Sequence, residues 1–174
     1  MSVELVFETH STTEDNEAGI ATGWLPGRLS ATGREQALEL GERRRHDGLA
    51  VVFIPDLRRA VETAEIAFAG SLAVVADERL RECNYGELNG TVEPLHDRPA
   101  HIDVPYPGGE SWRQAVERVT GFLDELRRER EDERVLVIGN TATRLALEVV
   151  ANGRELEGAM AAPFVWRPGW EYVL

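Results

Sequence analysis

The sequence predicts an α/β protein, a three-layer α/β/α sandwich around a mainly parallel sheet. Three observations carry this. Short apolar runs rich in β-branched residues, at 3–7, 51–54 and 135–138, alternate with longer stretches of helical periodicity. The runs at 51–54 and 135–138 are apolar at every position, as a strand buried on both faces requires. Finally, 174 residues with 43% hydrophobic and 29% charged side chains suffice for one core without a disulfide or metal staple. Residues 1–174 therefore read as a single domain.

Each element has its own local reason. After the strand at 3–7, Ser30 is placed to cap a helix running through Arg34, Ala37, Leu40 and Arg44. The strand at 51–54 is followed by Asp56, a second candidate cap, and by a helix with Ala60, Ala64 and Phe68 on one side. Residues 73–75 form a weaker strand. Trp112, Ala115, Val119, Phe122 and Leu126 mark the clearest helical stripe, with the charge run 127–134 as its solvated face. The strand at 135–138 then leads to a helix over 145–150.

Charge excludes several function classes. The chain carries 31 acidic and 19 basic side chains, a formal net charge of −12, which argues against nucleic acid and anionic membranes as partners. All the basic residues are arginine. Without lysine there is no Schiff-base chemistry and no phosphate-loop lysine, so any anion must be held by Arg, His or backbone amides. The single cysteine, Cys83, rules out an internal disulfide and suggests a reducing compartment. The first residues lack a basic leader, and no apolar run approaches the roughly 20 residues that span a bilayer. The expectation is a cytoplasmic protein with a small-molecule partner.

Two stretches break the alternation. Residues 15–29 and 84–109 are rich in glycine and proline and too long for simple connectors, and the second reads as a lid-like insertion around 84–110. In open α/β sheets ligands sit beyond the carboxyl ends of the strands, which singles out 9–16, 55–59, 82–90 and 139–144. His10 lies just past the first strand. By itself it reads as a hydrogen-bonded strand-end histidine, but Asn16, Arg59 and Glu82 occupy the matching positions after the first, second and third strands. Trp24 and Tyr85 lie in the lid-like segments, whereas Trp112, Trp166 and Trp170 are expected in the core. Arg28, Arg58, Arg81 and Arg144 are expected to be solvated or capping, although Arg144 lies one helical turn past Asn140. His96 and His101 lack the spacing of a metal site, so no metal or other cofactor is expected.

Several segments carry a resemblance. Leu5–Asn16 is a strand followed by Thr9-His10-Ser11 and, six residues past the histidine, Asn16. Leu29-Ser30-Ala31-Thr32-Gly33-Arg34-Glu35-Gln36-Ala37, Leu57-Arg58-Arg59-Ala60 with Thr63-Ala64, Leu80-Arg81-Glu82 with Gly86 and Gly90, and Pro107-Gly108-Gly109-Glu110-Ser111 follow in order. Together they resemble the histidine phosphatase superfamily, the phosphoglycerate-mutase-like group. The resemblance implies that His10 is a nucleophile forming a phosphohistidine, that Arg59 clamps the phosphoryl oxygens and that Asn16 donates to them. Glu82 would be general acid and then general base, without a metal. The chain departs from the family pattern at three places: Thr9 stands for an arginine, Ser11 for a glycine and Asn140 for a second histidine. Thr9, Ser11, Asn16, Arg59, Asn140 and Thr141 make up the expected substrate-binding set. Glu8, Glu14, Asp15 and Glu17 flank His10 and repel a dianion unless they point away.

The reading that follows is a small-molecule phosphomonoester hydrolase. Two alternatives keep the same fold. One is an acid–base enzyme (lyase, isomerase or cyclase) using His10 and Glu82, and the other is a non-catalytic binding protein.

Overall fold

Apolar strands that alternate with amphipathic helices can bury both sheet faces only by crossing over repeatedly, and the chain does this. The computed structural model describes residues 2–174. In chain order, β1 (Glu4–Thr9) passes through the one-turn helix α1 (Glu14–Glu17) and the short strand β2 (Ile20–Ala21) to α2 (Ala31–Arg44). Next come β3 (Val51–Ile54), α3 (Arg58–Phe68), β4 (Val74–Ala76) and the short strand β5 (Thr91–Val92). The chain ends with α4 (Trp112–Glu129), β6 (Arg134–Gly139), α5 (Thr141–Val150), α6 (Leu156–Ala161) and β7 (Trp170–Val173).

The central sheet has the order β4-β3-β6-β1-β7; its first four strands are parallel, and β7 runs antiparallel to β1. Side-chain alternation sorts the core into two layers. Leu5, Phe7, Phe53, Val135 and Val137 pack with the apolar stripe of α4 and with α5, while Val6, Val52, Ile54, Leu136 and Ile138 pack under α2 and α3. The three-layer sandwich is thus a direct consequence of the two-sided apolar strands.

The expected cap holds at α2, and α4 has one that the sequence reading did not name. The Ser30 hydroxyl accepts from the Gly33 N–H at 3.1 Å, and Ser111 forms a reciprocal box with Gln114 at the start of α4. Asp56 is not a cap: Leu57 takes that position, and Asp56 is forked by the Arg81 guanidinium at 2.7 and 2.6 Å. The helix expected over 145–150 begins at Thr141, because Asn140 caps it. The 127–134 run is not a single helical face, since α4 stops at Glu129 and Arg134 already belongs to β6. Strand β7 was absent from the sequence reading; buried Trp170 and Tyr172 alternate there with exposed Glu171 and Val173, the period of a half-buried edge.

Strands β1 and β6 lie side by side, yet β1 leads to α2 on one face and β6 to α5 on the other. Chains that diverge to opposite faces open a crevice beyond the strand ends. The two glycine- and proline-rich stretches meet over it through the β2–β5 pairing, Ile20 with Val92 and Ala21 with Thr91. Among the described residues no helix is long and apolar enough to cross a membrane.

The loop after β1 rests on the first turn of α2. The Thr12 carbonyl accepts from the Ser30 N–H at 3.1 Å, and a Cβ on Gly33 would lie 1.9 Å from that same oxygen. Gly33→Ala must therefore displace the loop or the helix, a cost of about 1–3 kcal/mol by analogy with overpacking. Thermal denaturation should show a melting temperature several degrees lower. An unchanged melting temperature would mean that the loop does not bear on α2.

Candidate active site

A cavity of about 440 Å³ opens at the ends of β1 and β6, lined by Thr9, His10, Asn16, Arg59, Glu82, Asn140 and Thr141 among others. Seven of the eight residues expected at the site thus converge. Ser11 does not line it: its N–H donates to the Thr63 hydroxyl at 3.1 Å, and its side chain is buried away from the cavity.

Ser11 acts through its carbonyl instead. His10 Nδ1 lies 2.8 Å from the Ser11 carbonyl oxygen. A carbonyl can only accept, so Nδ1 carries the hydrogen and Nε2 keeps its lone pair. Burial, and next the Arg59 charge, push the imidazole pKa from 6.5 down to about 3, against the opposing pull of the Ser11 carbonyl. His10 is therefore a neutral imidazole with a free Nε2 at neutral pH.

Arg59 is buried at the start of α3 and points into the loop after β2. Its Nη1 and Nη2 donate to the carbonyls of Leu25 and Gly23 at 3.1 and 2.8 Å. The turn that presents the Gly23 carbonyl has a φ of +58°, a conformation glycine adopts without strain. Burial pulls the guanidinium pKa down, opposed by Glu82, Tyr85 and Asp15, but no carboxylate forms an ion pair with it among the described residues. This is a buried cation without a protein counter-ion.

Glu82 is held at the amino end of α5. Its Oε1 accepts from the N–H groups of Cys83 and Ala142 at 2.9 and 3.0 Å, and its Oε2 from Thr141 at 3.2 Å. Three backbone donors fix the carboxyl plane, and the more lightly bonded Oε2 is the oxygen left to exchange a proton. Asn140, besides lining the cavity, has a structural part. Its Oδ1 accepts from the Thr143 N–H and hydroxyl at 3.4 and 3.3 Å, and its Nδ2 donates to the Leu80 carbonyl at 3.0 Å. It caps α5 and ties it to the Glu82 segment, so its carbonyl is unavailable to a ligand. Asn16 shares a capping box with Thr13 through its own Oδ1, which leaves its Nδ2 as a donor toward the cavity.

The acidic flank of His10 does not face the cavity. Glu8, on the opposite face of β1 from Thr9, is forked by Arg43 at 3.1 and 2.9 Å and bonded by Arg44 at 2.8 Å. Glu14 pairs with Arg28, Asp15 accepts from the Thr22 hydroxyl, and Glu17 is exposed. None of the four lines the cavity. Its charged lining is three guanidiniums, Arg59, Arg98 and Arg144, against two carboxyl groups, Glu82 and Glu93, in a chain of net charge −12.

Two further arginines line the cavity, Arg144, singled out by its spacing from Asn140, and Arg98, which sequence reasoning passed over. Arg98 pairs loosely with Glu93 at 3.5 Å and lies over Trp112, and nothing in its glycine- and proline-rich surroundings marks it. The one-turn spacing from Asn140 is the signal for Arg144, whose guanidinium lies over the Phe164 ring at 5.5 Å. Among the described residues fourteen of the nineteen arginines form ion pairs, leaving Arg59, Arg127, Arg128, Arg144 and Arg167 without one there. Two of these five line the cavity.

The aromatic expectations divide. Tyr85 lines the cavity, but Trp24 does not: its Nε1 donates to the Glu82 carbonyl at 2.6 Å and its ring carries Arg81 and Arg118. Trp112 and Trp170 are buried as expected, whereas Trp166 is 58% exposed and lines the cavity. His96 Nε2 bonds to the Thr91 hydroxyl, and His101 stacks on Tyr106; among the described residues no group of three His, Cys, Asp or Glu could hold a metal ion.

The model of the histidine phosphatase superfamily (branch 1) matches residues 5–161. The chain is 32% identical to a 2,3-bisphosphoglycerate-dependent phosphoglycerate mutase of Parvibaculum lavamentivorans, over 93% of this chain and 89% of the mutase. It is 30% identical to phosphoserine phosphatase 1 of Hydrogenobacter thermophilus, over 88% and 78%. Among solved structures, Bacillus stearothermophilus YhfR superposes with a TM-score of 0.87 at 25% identity, over 98% of this chain and 90% of YhfR. A mycobacterial glucosyl-3-phosphoglycerate phosphatase solved with VO3 gives 0.79 at 26% identity, over 92% and 87%.

The histidine makes a specific pH prediction. The unfolded chain binds a proton on His10 near pH 6.5, while the folded chain resists to about 3, so stability present above 6.5 falls as the pH drops through that window. Nitrogen chemical shifts of His10 should remain those of the Nδ1–H neutral tautomer down to about pH 5. His10→Ala should lose less stability than wild type between pH 6.5 and that point. A His10 midpoint near 6.5 would refute the burial argument.

Proposed function

The chain belongs to the histidine phosphatase superfamily, and we propose on that footing that this enzyme hydrolyses a small phosphomonoester through a phospho-His10 intermediate. One observation carries the proposal: a neutral histidine with a free Nε2 shares its cavity with a buried guanidinium that has no protein counter-ion.

In the first step Nε2 of His10 attacks phosphorus, the N–P bond forms, and the bond from phosphorus to the alcohol oxygen breaks. The Glu82 carboxylic acid gives its proton to the departing oxygen. In the second step a water attacks the phosphohistidine while Glu82 takes one of its protons. The N–P bond breaks, inorganic phosphate leaves, and His10 and the protonated Glu82 are restored. The remaining N–H groups of Arg59 face the phosphoryl oxygens, and Arg98, Arg144 and the Asn16 amide supply further donors around the same cavity. These two arginines offset the missing arginine at Thr9. In this reading residues 84–110 act as a lid on a single domain, fastened by the β2–β5 pair to the loop that presents the Gly23 and Leu25 carbonyls to Arg59.

A cavity with excess guanidinium suits a phosphate ester better than the uncharged substrate of a pure acid–base enzyme, and it is this balance that favours hydrolysis over the alternatives. A panel of phosphomonoesters should yield inorganic phosphate from the wild type and none from His10→Ala. Arg59→Met should lower kcat/KM by about 10²–10³, the usual consequence of removing one oxyanion donor. Rapid quenching with a phosphorus-labelled ester should trap an acid-labile, base-stable label on the wild type alone. A folded wild type that releases no phosphate from any ester would overturn the proposal.

A further inference from the structure

Residues 162–169 join α6 to β7 and lie beyond the residues that match the family model. They fold back across the cavity. The far end of the segment is anchored where Arg44 Nη2 donates to the Pro168 carbonyl at 2.9 Å. Near its start, the Phe164 ring packs against Trp170 at 6.0 Å and 29° and carries Arg144 on its face. Phe164 is nonetheless 55% exposed, and it lines the cavity that holds His10.

Trp166 lies two residues further, on the same cavity wall, and is 58% exposed. Among the described residues its ring has no aromatic or cationic partner, and its Nε1–H has no acceptor. The other three tryptophans are all engaged: Trp24 by hydrogen bond and two arginines, Trp112 by Tyr85 and Arg98, Trp170 by Phe7, Phe164 and Arg167. An indole held at the mouth of an arginine-bearing cavity, with both its face and its N–H unused, fits a ligand that is anionic at one end and flat and apolar at the other.

Resting on the phosphatase reading, we propose that Trp166 is a specificity residue and that the substrate's leaving alcohol carries a planar aromatic ring. The ring stacks on Trp166 in the offset or edge-on geometry that aromatic quadrupoles favour, with Phe164 as the adjoining wall. The phosphoryl group lies at the other end, against His10 and Arg59.

Non-hydrolysable phosphonates separate this inference from the reading beneath it. Calorimetry with intact protein should show benzylphosphonate binding at least about fivefold more tightly than methylphosphonate or cyclohexylmethylphosphonate, as expected of one aromatic stack. Trp166→Ala, a change at an exposed position, should erase that preference and leave methylphosphonate affinity unchanged. Equal binding of the three phosphonates, or a preference that survives Trp166→Ala, overturns the inference and leaves the phosphatase reading standing. Failure of methylphosphonate to bind, or binding indifferent to Arg59→Met, overturns both.

Discussion

The parallel ladder between β1 and β6 is the constraint on which the site depends. It runs from Glu4 opposite Arg134 to Thr9 opposite Gly139 and extends one bond further, with the His10 N–H donating to the Gly139 carbonyl at 3.0 Å. That last bond holds the backbone of the histidine beside the amino end of α5. The same turn places Asn140 as the cap of α5 and Thr141 and Ala142 as donors to Glu82. His10 and Glu82 are therefore set by one stretch of backbone pairing, although they lie far apart in the chain. Loops that carry functional groups are accurate only when a rigid scaffold positions them, and here the scaffold is a buried ladder.

Electrostatics gives the site its character. An acidic chain with nineteen arginines has ample carboxylate to neutralise every cation, and most are neutralised. Glu8, next to Thr9 in sequence, is taken out of play by Arg43 and Arg44 on the far face of the sheet, because strand alternation sends adjacent side chains in opposite directions. Arg59 is buried against two backbone carbonyls instead. An uncompensated buried cation destabilises the folded protein, and residues that break the rules of burial in this way concentrate where a ligand completes them. The neighbouring imidazole stays neutral partly because of that charge. One arginine thereby leaves both an unpaired cation and an unprotonated imidazole in the cavity.

Much of this was legible in the chain. Ser30 marks a helix start, the all-apolar runs mark strands buried on both faces, and the order of the short motifs carries the family. His10, Asn16, Arg59 and Glu82 reach one cavity as their positions after successive strands imply. The misreadings have a common cause. Asp56 has the chemistry of a cap but finds Arg81, twenty-five residues away, a stronger partner. Asn140 lines the cavity and also caps α5, because its own backbone ends a strand and begins a helix within one residue. Arg98 and Trp166 sit in irregular segments whose course depends on the β2–β5 pair and on the packing of Phe164 against Trp170, neither of which has a local signal.

By itself the sequence determined the alternation of strands and helices, the Ser30 cap, the excess of acid, and the four side chains His10, Asn16, Arg59 and Glu82 that meet in one cavity. These rest on periodicity and on interactions within a few residues, and such interactions are present in the chain before it folds. Only the tertiary structure decided which nitrogen of His10 keeps its lone pair, which arginines are left without carboxylates, and which aromatic rings face the cavity. The His10 tautomer turns on the adjacent Ser11 carbonyl, held in place by the Thr63 hydroxyl, and the other two on partners tens of residues distant; all depend on removal from water. Desolvation and long-range pairing are properties of the packed molecule, and no window of sequence contains them.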